Sequence, residues 1–199
     1  MESDPPQPSK TDQDRELVER SKAGDTEAFD ELELKYSPRL YAMIYNMTGN
    51  REDTHDVLQD VFAKAYRSIR RFRGKSAFYT WIYSISVNMT LNFLKKRGRR
   101  RKLSLEELTP SSALDQEYQE ATASSDPVRE ADIHELQIRL NEAMLELSED
   151  HRTVVTLFDI QGMPHAEISN ILGISQGTVR SRLFYAHRQL QNHLEEFRS

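Results

Sequence analysis

Apolar residues in this chain recur every three to four positions wherever they cluster, and never in sustained alternation. Leu40, Met43, Ile44 and Met47 stand at i, i+3, i+4 and i+7, and Leu58, Phe62, Ala65 and Ile69 at i, i+4, i+7 and i+11. Phe78, Ile82, Ile85 and Met89 repeat the second pattern. Such stripes lie on one face of a helix, whereas a half-buried strand needs a period of two. No hairpin dipeptide sits between alternating runs. The spacing predicts an all-α fold: two small helical domains joined by a flexible linker, the C-terminal one containing a helix-turn-helix.

Breaks in the stripes set the expected boundaries. Residues 1–11 carry three prolines and nothing to bury, which predicts a disordered tail. Leu17, Val18, Ala28, Phe29 and Leu32 fall at turn spacings around a stop-and-restart signal, Ala23-Gly24-Asp25. Gly49-Asn50 closes the next helix, a third runs from Asp53 to about Phe72, and Gly74 breaks it. Ser76 is the expected N-cap of a fourth helix ending near Gly98, so residues 12–102 form the first domain. Residues 103–127 are rich in Ser, Thr, Ala and acids, hold two prolines and lack periodicity, which predicts a linker. In the second domain, 128–199, Ile133, Leu136, Leu140, Ala143, Met144 and Leu147 form one stripe. Ser148 caps a helix holding Val154, Val155, Leu157 and Phe158, which Gly162 stops.

Hydrophobic residues make up 37% of the 199 residues and charged ones 30%, which suits small helical domains with thin cores. Cysteine is absent, excluding disulfides, thiolate metal sites and thiol nucleophiles. No apolar run approaches the ~18 residues of a membrane span. The start, MESDPPQPSK, lacks a basic head and hydrophobic stretch, so a cytoplasmic chain without membrane insertion is expected. The six histidines give no H-E-x-x-H pair, and neither GxxxxGK[ST] nor GxGxxG occurs. No enzyme activity, cofactor, metal or catalytic residue is expected.

The net charge of −5 conceals a segregation. Residues 1–60 hold 7 Lys/Arg against 15 Asp/Glu, while Val61–Leu105 holds 13 Lys/Arg and no carboxylate. Polyanion binding follows local charge density, so the basic block outweighs the acidic total. Phe72, Phe78, Tyr79, Trp81, Tyr83 and Phe93 interleave with those bases. Core packing accounts for any one of them, and Phe78 lies on the stripe. Tyr79, Tyr83 and Ser86 lie off it, near Asn88. Aromatics beside cations suit single-stranded nucleic acid, and an amide such as Asn88 can read an unstacked base. The run Lys95, Lys96, Arg97, Arg99, Arg100, Arg101, Lys102 would repel itself without a polyanion nearby. Asp56, Gln59, Asp60 and Ala63 share a face opposite Phe62, which spacing alone reads as solvated surface.

The sharpest local signal runs from Pro164 to Leu194. Pro164 suits the first turn of a helix burying Ile168, Ile171 and Leu172, and Gly173 supplies a left-handed C-cap. Ile174 fills the elbow and Ser175 caps a second helix with Val179, Leu183, Ala186, Leu190 and Leu194 on one face. This is a helix-turn-helix. Gln176, Arg180, Ser181, Phe184, Tyr185 and Arg188 lie on the other face, which fits a major groove, while Thr178 and Arg182 suit phosphates. The plainer reading, a solvated face with Phe184 packed on a neighbour, is outweighed by DNA binding.

The stretch DVLQDVFAKAYRSIRRFRGKSAFYTWIYSISVNMTLNFLKKRGRRR closely resembles region two of the extracytoplasmic-function sigma factors of bacterial RNA polymerase, in particular the sigma-E-like group. EDHRTVVTLFDIQGMPHAEISNILGISQGTVRSRLFYAHRQL resembles their region four. The resemblance implies a sigma factor that binds core polymerase through its β′ clamp and β flap, recognises −35 and −10 elements and melts the latter. It implies clamp docking by Asp56, Gln59, Asp60 and Phe62. It implies capture of a flipped −10 base by Phe72, Arg73, Gly74, Lys75, Ser76 and Asn88, with Tyr79, Tyr83, Lys95, Lys96 and Arg97 alongside. It implies −35 reading by Arg180, Ser181, Phe184 and Tyr185, flanked by Gln176, Thr178 and Arg188. Tyr185 stands where sigma-E-like members often carry arginine, and His165 where an aromatic is common. An anti-sigma factor is a further implied partner. The competing reading is a conventional helix-turn-helix repressor or activator with a helical sensor domain in residues 12–101.

Overall fold

A computed structural model describes the backbone of residues 10–103 and 139–195, and the side chains of 13–99 and 139–194. The expected tail up to residue 9, most of the expected linker, the stripe positions Ile133 and Leu136, and the side chains of Arg100, Arg101 and Lys102 lie outside the described residues.

The first helical group is α1 (Lys10–Ala23), α2 (Thr26–Thr48), α3 (Arg51–Ser68) and α4 (Phe78–Leu103), with a 3-10 turn at Ile69–Arg71. Local chemistry sets its breaks. Asp25 Oδ1 accepts the Ala28 N–H at 3.2 Å to start α2. Gly49 ends that helix at φ 66°, a left-handed conformation that a β-carbon disfavours, and its N–H reaches Tyr45 O at 2.8 Å. Asn50 then caps α3 by accepting the Asp53 N–H at 2.8 Å. Several boundaries differ from expectation, the start of α3 at Arg51 ahead of Asp53 among them. Lys10 and Thr11 belong to α1, so the helix begins inside the segment read as tail. Ser76 is not the cap of α4: the helix starts at Phe78, and Ala77 O accepts the Trp81 N–H at 3.2 Å. Gly98 does not stop α4, which continues to Leu103, so the basic run is helical that far. One mid-helix glycine costs only about 1 kcal/mol, which a 26-residue helix absorbs.

The second group comprises helical residues 139–146 (α5), α6 (Glu149–Val155), a π turn at Thr156–Ile160, α7 (His165–Leu172) and α8 (Gln176–Glu195). Ser148 Oγ accepts the His151 N–H at 3.3 Å, and Gly173 closes α7 at φ 66°. Ser175 Oγ accepts the Thr178 N–H at 3.0 Å and so starts α8. On the expected α5 stripe Ala143, Met144 and Leu147 are buried, but Leu140 is 42% exposed. No strand occurs among the described residues.

The two groups share one continuous core. α4 packs on α7, and α2 touches α6 and the π turn. Leu145 of α5 seats over the end of α2, where a β-carbon on Gly49 would fall 2.8 Å from Leu145 Cδ2. Tyr83 donates its hydroxyl to Gln161 Oε1 at 3.2 Å, and Arg152 donates to Met47 O at 2.7 Å. The helices are therefore closed against one another.

Candidate nucleic-acid interfaces

The recognition face of α8 is open. Val179, Leu183, Ala186 and Leu190 are buried, which turns Gln176, Arg180, Ser181, Phe184, Tyr185 and Arg188 outward. Phe184 is 64% and Tyr185 55% exposed, and their rings meet edge-on with centroids 5.5 Å apart. Two exposed aromatics beside an exposed arginine give the face a cation for guanine and an apolar edge for thymine methyl groups. Ser181 Oγ donates to Thr178 O at 3.0 Å. Arg182, assigned to phosphate, instead pairs with Asp150 at 2.5 Å and ties α8 to α6.

The α4 face is arranged differently from expectation. Tyr83 and Ser86 are completely buried, although both lie off the apolar stripe, and Tyr79 is half-buried. Ile85 and Met89, on the stripe, are only half-buried. The reason is tertiary: α4 packs on α7 as well as on α2 and α3, and the Tyr83 hydroxyl reaches Gln161 beyond the π turn. Burial, helped by the nearby Glu167 carboxylate, pushes the Tyr79 phenol up to about 12, and burial raises Tyr83 as well. Both phenols are neutral at physiological pH. Asn88 stays exposed, with Nδ2 donating to Ser84 O at 2.8 Å.

The loop Phe72–Ser76 rims a groove of about 1120 Å³, lined by Phe78 and Tyr79 and by cations from three elements, Lys22, Lys35, Arg39, Arg73 and Lys75 among them. Arg73, Gly74, Lys75 and Ser76 are exposed, while Phe72 is half-buried against Phe78 and Trp81 at centroid distances of 6.2 and 4.9 Å. A groove with aromatic walls and a cationic rim can stack a base while neutralising its phosphate. Glu167 of α7 also lines it. Tyr83 does not line it but packs against Tyr79, with ring centroids 4.5 Å apart, and Asn88 does not line it either.

At the far end of α4, Lys95, Lys96 and Arg99 are exposed. Arg97 is not part of that free edge: it pairs with Asp53 and donates to Thr48 O at 3.3 Å, holding α4 to the ends of α2 and α3. Charge removal therefore separates the two roles. If this exposed edge tracks a single strand, as the sequence leads one to expect, Lys95→Gln and Lys96→Gln lower the log–log salt slope of single-stranded DNA binding by about 0.7 for each phosphate no longer neutralised. Arg97→Gln lowers thermal stability instead, which binding titrations across salt and thermal melts distinguish.

On α3, Asp56, Gln59 and Asp60 are exposed and share a face with half-buried Ala63. Phe62 is only 5% exposed and points into the core, so it supports that face from beneath and is not on it. Sequence reasoning missed Arg152, which is 8% exposed and donates to four backbone carbonyls. Its signal was an arginine on the buried side of a short helix, three residues from Val155. Among the described residues no cluster of His, Cys, Asp or Glu could hold a metal ion, and no helix is long and apolar enough to cross a membrane.

Comparison with known proteins gives matches over both groups. The sequence model for sigma-70 region 2 matches residues 34–100, and that for sigma-70 region 4 matches residues 137–190. The RNA polymerase sigma-H factor of Pseudomonas aeruginosa is 36% identical over 188 residues, covering 92% of this chain and 95% of that protein. The ECF RNA polymerase sigma-E factor of Haemophilus influenzae is 37% identical over 185 residues, with 92% and 95% covered. That of Escherichia coli K12 is 35% identical over 190 residues, with 92% and 94% covered. Among solved structures, the Bartonella quintana sigma factor RpoE bound to the anti-sigma factor NepR superposes with a TM-score of 0.65 at 24% identity, covering 84% of this chain and 96% of that one. CnrH bound to the cytosolic domain of CnrY gives 0.65 at 22% identity, with 93% and 99% covered, so both share the fold.

Proposed function

The chain belongs to the extracytoplasmic-function sigma factors of the sigma-70 family, and from that premise we propose how its parts divide promoter recognition. As a sigma factor it directs RNA polymerase to promoters. Residues 12–102 form the unit that binds core polymerase and the −10 element, 128–199 the unit that binds −35, and 103–127 the tether between them. Asp56, Gln59 and Asp60 dock on the β′ clamp, and the β flap holds the C-terminal unit. The groove at Phe72–Ser76 takes an extruded base of the melted −10 strand, with Asn88, Lys95 and Lys96 along its path. Extrusion costs a few kcal/mol of unstacking, offset by stacking on the groove walls and by the cations. Arg180, Ser181, Phe184 and Tyr185 read −35 in the major groove, with Gln176, Thr178 and Arg188 beside them. The chain supplies binding and no bond-making chemistry, needs no cofactor, and works in the cytoplasm, where its partners are. An anti-sigma factor fits as a partner, since a structural neighbour sharing this fold is bound to one.

The observation that carries this division is the contrast between the two faces: an open recognition helix on α8 and a cation-rimmed aromatic groove beside α4. The repressor reading needs a ligand pocket in the first helical group, and the groove there is rimmed by charge and opens on the loop. Transcription by core polymerase plus this chain across a randomised promoter library tests the division. Substitutions at Phe72 and Lys75 shift selection at −10 only, and substitutions on α8 shift it at −35 only. Loss of that separation overturns the proposal.

Geometry adds a requirement. A compact body of this length spans roughly 40 Å. The −35 and −10 elements lie about 25 base pairs apart, roughly 85 Å along B-DNA. The closed arrangement cannot reach both, so the packing of α4 on α7 and of α5 on α2 must open on the promoter. Leu145→Asp places a carboxylate against the carbonyl end of α2 and removes apolar packing there. It shifts the free chain toward the open form by about 2 kcal/mol, roughly 30-fold. With no native cysteine to interfere, donor and acceptor dyes at Lys64→Cys and Asn170→Cys report the separation. An unchanged distance distribution contradicts the requirement as placed at Leu145.

A further inference from the structure

One wall of the groove at Phe72–Ser76 comes from α1, ahead of residue 34 where the region 2 match begins. Asp14 stands in that wall, only 9% exposed. A carboxylate this buried is tolerated when both oxygens are satisfied, and both are. Lys35 Nζ donates to Oδ1 at 2.5 Å, and the Tyr36 hydroxyl donates to Oδ2 at 2.5 Å. Tyr36 in turn tilts against Phe78 and Tyr79, with centroids 5.5 and 6.4 Å away. Lys35 Nζ lies 5.8 Å from the Tyr36 ring centroid. Asp14 thus fixes two things that border the groove, an ammonium and an aromatic wall.

An ammonium on a four-carbon stem is a mobile point charge until something orients it. Unoriented, it attracts phosphate and reads no sequence; oriented, it donates in a set direction to a ring nitrogen or carbonyl of one base. We propose that Asp14 is a positioning residue for −10 specificity, holding Lys35 and Tyr36 so that the groove discriminates among extruded bases. The N-terminal helix is then part of promoter selection, although it lies outside the matched region. This rests on the reading above that the groove takes the extruded base.

The experiment is holoenzyme transcription across a library randomised at each −10 position, for Asp14→Asn, Lys35→Met and the double variant. Asp14→Asn keeps the Lys35 charge but replaces the charged acceptor that directs it. The expected result is an approximately tenfold loss of base discrimination at one −10 position, with salt slope and −35 selection unchanged. Lys35→Met relaxes the same position, and the double variant loses no more than either single one, as expected for groups acting as a unit. Tyr36→Phe, which removes only the hydroxyl, relaxes that position to a smaller degree. A uniform loss at every −10 position, no loss, or additive losses in the double variant overturns the proposal and leaves Asp14 as an anchor for α1. Phe72→Ala and Lys75→Ala run in parallel. If they leave −10 selection unchanged, the base-pocket reading has failed; if they alter it and Asp14→Asn does not, only the role of Asp14 has.

Discussion

Arg152→Ala lowers the unfolding midpoint by about 10 °C, corresponding to a loss of about 3–5 kcal/mol for a chain of this size. The expectation follows from where the guanidinium goes. Nε donates to Met144 O at 2.8 Å, and Nη2 to Leu145 O at 2.5 Å and Leu147 O at 3.0 Å. Nη1 crosses to α2 and donates to Met47 O at 2.7 Å. Burial disfavours the charged form and lowers the Arg152 pKa. Two helix ends offset that cost: the last turns of α5 and α2 present the negative ends of their dipoles to one cation. Truncation removes the guanidinium from Met47 O, Leu145 O and Leu147 O, while Met144 O keeps the Leu147 N–H at 3.3 Å, and a stranded buried acceptor costs more than the hydrogen bond itself contributed. Arg152→Lys restores less than half, because an ammonium has three donors and no planar fork. Calorimetry or thermal circular dichroism reads both variants. A shift under 2 °C for Arg152→Ala would mean the carbonyls find water.

Arg180→Ala weakens holoenzyme binding at a −35-dependent promoter by about 1–3 kcal/mol, roughly 5- to 150-fold, and leaves binding to a pre-melted −10 template within about twofold. Arg180 lies on the open face of α8, one turn from Phe184, and its side chain is exposed. The internal control is two residues away. Arg182 is committed to Asp150 at 2.5 Å, so Arg182→Ala changes −35 binding far less than Arg180→Ala. Two nearby arginines on one helix thus set the proposed reader beside a brace. Binding titrations on intact and −35-scrambled promoters check it, and equal losses for the two variants would contradict the assignment of Arg180 as a reader.

Much of the fold was legible because its signals are local. Asp25, Asn50, Ser148 and Ser175 cap the helices that follow them through bonds spanning three residues. The α8 stripe was also readable, since opposite Val179, Leu183 and Ala186 the described residues leave Phe184 and Tyr185 exposed. The α4 surface was not. Periodicity put Tyr83 and Ser86 outside the core because it knows only one buried face, and α4 has two. Arg97 and its neighbours Lys95 and Lys96 are indistinguishable in a run of bases, yet only Arg97 meets Asp53, 44 residues away. Phe62 was placed on the docking surface by resemblance, while its own stripe with Leu58 and Ala65 put it in the core, where it is.

The chain's own order of residues dictated its helical class and most of its helix caps, because a helix and its caps are written within one or two turns. Which off-stripe side chains are buried depended on partners that sequence distance hides, such as Tyr83 with Gln161, 78 residues apart, and Arg152 with Met47, 105 apart. Burial and hydrogen bonding across such separations are settled only when the helices pack, since each is a property of the neighbour as much as of the residue.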